Sequence, residues 1–119
     1  MYSKELLTHF QNPRNAGELT SPTAVAQVEN PACGDVMQLS ISIAPDSGRI
    51  SEVRFRAKGC VAAIACGSLL TELLQGITIA EARKLSRQEL ISKLGGLPAG
   101  STHASHLAMD ALSAVLAKL

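Results

Sequence analysis

Met37-Gln38-Leu39-Ser40-Ile41-Ser42-Ile43 and Val53-Arg54-Phe55-Arg56-Ala57 each alternate apolar with polar side chains, and Pro45-Asp46-Ser47-Gly48 lies between them. A period of two places every second side chain on one face, so each run reads as a half-buried β-strand. Two such runs around turn chemistry make an antiparallel hairpin with one solvated face and one apolar face that needs a cover. Residues 23–28 (Thr-Ala-Val-Ala-Gln-Val) read as a further strand.

Helices on either side supply the cover. Ser3 is placed to cap a short helix running to Phe10, with Leu6, Leu7 and Phe10 as its apolar stripe. Asn12-Pro13 ends that helix and Arg14-Asn15-Ala16-Gly17 reads as a turn. From about Ala62 to Leu74 no helix breaker occurs until Gly76. Thr78-Ile79-Ala80-Glu81 and Ser86-Arg87-Gln88-Glu89 both match a capping box, so two short helices follow, the second closed by Gly95-Gly96. The run Gly95 to Gly100 reads as a flexible connector. A last helix spans about Thr102 to Ala117, with Leu107, Ala108, Ala111, Leu112, Val115 and Leu116 on one broad face. Strands first and helices afterwards predict an α+β two-layer sandwich: a small antiparallel three-stranded sheet with helices packed on one face.

The chain has 119 residues, enough for a single domain over 1–119 with one core. Hydrophobic residues make up 46% and charged residues 18%, which argues against disorder. Tyr2, Phe10 and Phe55 are the only aromatics, so the core is aliphatic and no platform exists for stacking nucleobases. A net charge of +1 gathers no phosphate backbone, and no nucleic-acid partner is expected. The longest apolar stretch, Val61 to Cys66, is too short to cross a membrane, and the polar N-terminus lacks a signal-peptide core. A cytoplasmic location follows. Three cysteines without an export signal then read as reduced thiols available for metal or catalysis.

Cys33 lies in Pro31-Ala32-Cys33-Gly34-Asp35, just before the first hairpin strand, and Cys60 follows Lys58-Gly59 where the second ends. A hairpin centred on residues 45–48 brings positions 33 and 60 to the same end of the sheet. Gly34 and Gly59 let backbone approach a bound ion closely there. Cys60 also precedes a helix N-terminus, whose dipole and free N–H groups favour a thiolate, and Lys58 adds positive charge. Two buried structural cysteines are the alternative, against which the glycines and polar loop neighbours argue. Asp35 could ligate a metal, orient a ligand, or serve as a turn residue. His103 and His106 share a face at the start of the last helix, as a ligand pair or as a solvated terminus. Cys66 lies about 600° around the helix from Cys60, among Ala62, Ala63, Ile64 and Ala65, and reads as a buried small residue. No phosphate loop, nucleophile elbow or zincin helix is present, so no enzyme is expected.

Residues 2–17, Asn-Pro-Ala-Cys-Gly-Asp-Val-Met at 30–37 and Lys-Gly-Cys-Val-Ala-Ala-Ile-Ala at 58–65 strongly resemble the IscU/NifU N-terminal domain family of iron–sulfur cluster assembly scaffolds. Residues 97–112 are similar to that family's last helix in a divergent form. The resemblance implies the same α+β sandwich. It implies a protein that receives sulfur from a cysteine desulfurase, builds a [2Fe-2S] cluster from iron, and passes it to apo iron–sulfur acceptor proteins, with zinc as an alternative occupant. By motif, Cys33 and Cys60 match the family's first and second cysteine ligands, Asp35 the aspartate that tunes cluster lability, and His103 the histidine beside the third cysteine; Cys33, Asp35, Cys60 and His103 are the site residues this implies. Where the family places a third cysteine after that histidine, this chain has Ala104. His106 and Cys66 are the residues that could stand in for it. The family's docking segment for a dedicated Hsp70-type chaperone is here Leu97-Pro98-Ala99-Gly100-Ser101, lacking the second proline and the lysine, which weighs against that partner. The long insertion that marks the zinc-dependent SufU branch is missing before the last helix.

Overall fold

A computed structural model describes residues 1–32 and 34–119. Its elements run α1 (Lys4–Gln11), β1 (Ala24–Glu29), β2 (Val36–Ile43), β3 (Ile50–Lys58), α2 (Val61–Leu74), α3 (Ile79–Ala82), α4 (Arg87–Lys93) and α5 (Thr102–Leu116). The three strands form one antiparallel sheet in the order β1-β2-β3. The expected hairpin is present, with Val36 opposite Lys58 and Leu39 opposite Phe55. Gly48 closes its turn at φ 71°, a conformation a Cβ would strain, and its N–H donates to the Ala44 carbonyl at 2.8 Å.

Cross-strand rows show why the sheet has two unlike faces. Ala26, Leu39 and Phe55 stand side by side, as do Ala24, Ile41 and Val53, and all six are buried. The intervening rows, Gln27-Gln38-Arg56 and Val25-Ser40-Arg54, point the other way. Helices α2 and α5 lie on the apolar face and α1 packs outside α2. Ten of the fourteen residues of α2 are buried, as befits a helix that is apolar nearly all round. No described helix is long and apolar enough to cross a membrane.

The caps follow the sequence closely. Ser3 accepts from the Leu6 N–H, and Thr78 and Glu81 make both bonds of a capping box. Ser86 accepts from the Glu89 N–H at 3.1 Å. The glycine-bearing connector ends in a 3₁₀ turn over Ala99–Ser101 that leads directly into α5.

The Asn12-Pro13-Arg14-Asn15 segment does more than end α1. The Arg14 N–H donates to Ser68 Oγ at 2.8 Å and Asn15 Nδ2 donates to Thr71 Oγ1 at 3.2 Å, so both buried hydroxyls of α2 are engaged. Ser68 Oγ, which accepts from Arg14, also shares a hydrogen bond of 2.7 Å with His9 Nδ1. The chain then runs beside β3: the Phe55 N–H donates to the Asn15 carbonyl, and the Gly17 N–H donates to the Phe55 carbonyl. One outer edge of the sheet is thereby covered. At the other edge, Lys118 Nζ donates to the Val25 carbonyl at 2.6 Å.

Two expectations follow. Glycine inside a helix ordinarily costs about 1 kcal/mol against alanine, but a methyl on Gly67 would stand 2.5 Å from Cδ2 of the buried Phe55 ring. Overpacking of about 1–3 kcal/mol outweighs the helix gain, so Gly67→Ala lowers the urea midpoint instead of raising it. Burial holds the His9 pKa below its ordinary 6.5, helped by Arg14 and opposed by Glu72. Below about pH 6.5 the unfolded chain therefore binds more protons than the folded one, and stability falls as pH falls. Urea midpoints measured from pH 7.5 to 5 will show that slope, and His9→Gln will flatten it.

Candidate metal centre

The ends of the hairpin and the starts of two helices converge at one place. Asp35 immediately precedes β2, whose first residue pairs with the last residue of β3. Two residues beyond that pair, Cys60 is the N-cap of α2, and its Sγ accepts from the Ala63 N–H at 3.4 Å. His103 lies in the first turn of α5 and is half-buried. The 30–35 loop is closed by the Asn30 N–H donating to the Asp35 carbonyl at 2.8 Å.

Cys60 Sγ is 3.7 Å from His103 Nε2, and that nitrogen is 3.5 Å from Asp35 Oδ2. One ligand atom from each residue lies within 4.8 Å of the other two. A tetrahedral ion with bonds of ~2.0–2.3 Å holds neighbouring donors roughly 3.3–3.7 Å apart, so the spacing suits a single ion between them. Asp35 is only 7% exposed, and its Oδ2 has no hydrogen-bond partner among the described residues. A buried carboxylate oxygen without a donor is costly unless a cation faces it. One thiolate, one imidazole and one carboxylate make a donor set for iron or zinc, not for a hard oxygen-seeking ion.

The electrostatics reverse one expectation. The N-terminus of α2 does donate to the Cys60 sulfur, yet the thiol pKa is raised. Burial is the main cause, and the neighbouring Asp35 carboxyl adds to it against the Ala63 N–H. Without metal, Cys60 holds its proton more firmly than an ordinary cysteine, and a bound ion must displace it.

The other named residues fall as follows. Cys33 lies outside the described residues. Cys66 is fully buried in the core and its thiol is pushed up to about 12, chiefly by burial, so it does not join the group. It keeps the reading of a small core residue. The long helix begins at Val61, which turns Cys66 inward. His106 is exposed one turn beyond His103 and is likewise outside the group. Ala104, in the place of the third cysteine, is fully buried. The space where a Cβ on Gly59 would stand is filled by the Asp35 side chain.

The chain was compared with known proteins. Residues 1–119 match the family described as NifU-like N terminal domain. The chain is 46% identical over 112 residues to a protein of Archaeoglobus fulgidus named iron-sulfur cluster assembly scaffold protein IscU 1, covering 94% of this chain and 72% of that one. It is 40% identical over 119 residues to the Haemophilus influenzae protein named iron-sulfur cluster assembly scaffold protein IscU, covering 98% and 93%. The fold superposes with a TM-score of 0.78, at 17% identity and over 97% of this chain and 96% of the other, on a crystal structure described as a SUF-system scaffold from Fervidobacterium islandicum. The fold, the matched length and these identities agree: the chain belongs to the NifU-like N-terminal domain family.

Proposed function

We propose that residues 1–119 form one iron–sulfur cluster assembly scaffold domain, which binds iron or a [2Fe-2S] cluster through Cys33, Asp35, Cys60 and His103. The observation that carries this reading is a buried Asp35 oxygen, without a hydrogen-bond partner among the described residues, facing a thiol and an imidazole at ligand spacing. Names of the relatives at 40–46% identity point to the same role. The cluster is cargo here, not a resident cofactor, and the domain is not an enzyme. A cysteine desulfurase supplies sulfur and apo iron–sulfur proteins receive the product, in the cytoplasm. Zinc, with the same taste for sulfur and nitrogen donors, competes for the site.

With Ala104 in place of a third thiolate, mixed ligation by two sulfurs, one nitrogen and one oxygen is what remains. Hard and neutral ligands hold a cluster less firmly than thiolates do, which suits a carrier that must release its load.

Anaerobic reconstitution with ferrous iron, cysteine, a desulfurase and a dithiol reductant, which supplies the electrons that turn persulfide sulfur into sulfide, tests the reading. Visible charge-transfer bands will develop, and Cys60→Ala or Cys33→Ala will abolish them. Tight zinc binding with no coloured species would instead make the chain a zinc-binding partner of the desulfurase. Ala104→Cys should lengthen the lifetime of the cluster several-fold, read as decay of the same bands under a chelator.

A further inference from the structure

We infer that Gly59 is a positioning residue that admits the Asp35 carboxylate to the metal centre by leaving empty the space a side chain would fill. A methyl built on Gly59 overlaps Cγ and Oδ1 of Asp35 and approaches its Cβ at 2.9 Å. No other glycine of the chain stands in this relation to a charged group of the centre. Gly59 itself is exposed, and the three atoms nearest to such a methyl all belong to Asp35. Its φ of 152° lies where side chains are rarely tolerated, so the backbone and the cavity ask for the same residue.

The placement has a purpose that the surrounding bonds do not serve. Asp35 cannot swing outward to water and still keep Oδ2 3.5 Å from His103 Nε2. Its main chain is already tied by the Asn30 N–H. With the strand end fixed, the only freedom left is the side-chain direction, and the vacancy at position 59 is what the carboxylate occupies. A side chain there pushes the carboxylate away from the ion and leaves Cys60 and His103 as the described ligands.

This inference rests on the metal-site reading, and two measurements keep the two apart. The first uses metal-free protein: urea midpoints of wild type, Gly59→Ala, Asp35→Ala and the double variant. Backbone strain from φ, and the contact with the Cβ of residue 35 at 2.9 Å that alanine keeps, are common to both backgrounds and cancel in the cycle, which leaves the carboxylate's part. Gly59→Ala should lower the midpoint markedly in the Asp35 background and much less in the Asp35→Ala background. If Gly59→Ala alone fails to fold while the double variant folds, the inference holds equally. An equal drop in both backgrounds, or failure of both to fold, makes the requirement one of backbone alone and overturns it.

The second titrates the same four proteins with Co(II) alone, following the thiolate-to-metal and d–d bands. Asp35→Ala weakens Co(II) roughly tenfold or more. Gly59→Ala produces a loss of the same size, and the double variant is no weaker than Asp35→Ala. Wild-type affinity in Gly59→Ala, or losses that multiply in the double variant, overturn the inference. A wild type without a thiolate-to-Co(II) band defeats the metal-site reading instead, while the metal-free cycle still judges the role of Gly59.

Discussion

The near-complete burial of α2 is the constraint from which the rest of the molecule follows. A helix with so little polar surface cannot lie at the rim; it must be enclosed by the sheet, α1 and α5. The close seat of Gly67 on the Phe55 ring sets its distance from the sheet, and the loop after α1 engages Ser68 and Thr71, two hydroxyls that burial would otherwise leave costly. Once α2 is held on three sides, its first turn has no latitude. Cys60 is the cap of that turn. The position of the Cys60 sulfur is therefore inherited mainly from core packing, to which its bond from the Ala63 N–H is added.

The centre works against stability in a way that such sites commonly do. A carboxylate oxygen is buried without a hydrogen-bond donor among the described residues, and the thiol beside it resists ionisation, chiefly because it is buried and further because that carboxyl is near. Both penalties have one remedy, a cation between them. In the proposed site a bound cation would tie together the strand ends and helix starts that form it, since Asp35, Cys60 and His103 come from different junctions.

Much of this was legible in the sequence because it is local. Alternation marked β2 and β3, and capping residues marked the starts of α1, α3 and α4 within a residue. The hairpin reading brought positions 33 and 60 to one end of the sheet; Cys33 lies outside the described residues, and the structure places Asp35, from the same stretch of sequence, beside Cys60. What failed was long-range. His103 stands 43 residues from Cys60, and its neighbours in sequence look like any solvated helix start. Only the resemblance to known scaffolds singled it out. The sign of the Cys60 shift was misjudged for a related reason: a helix dipole can be read from a run of residues, whereas desolvation depends on what the fold lays over the sulfur. The His9–Ser68 bond bridges 59 positions and left no local mark at all.

A sheet of three strands has two outer edges, and here each is occupied, β3 by the Asn15–Gly17 backbone and β1 by the ammonium of Lys118. Open edges are templates on which identical chains stack. Hydrogen bonds already made at both edges leave fewer free backbone groups for a second copy to pair with, so a lysine and a short loop outside the candidate centre bear on whether copies of the chain stay apart.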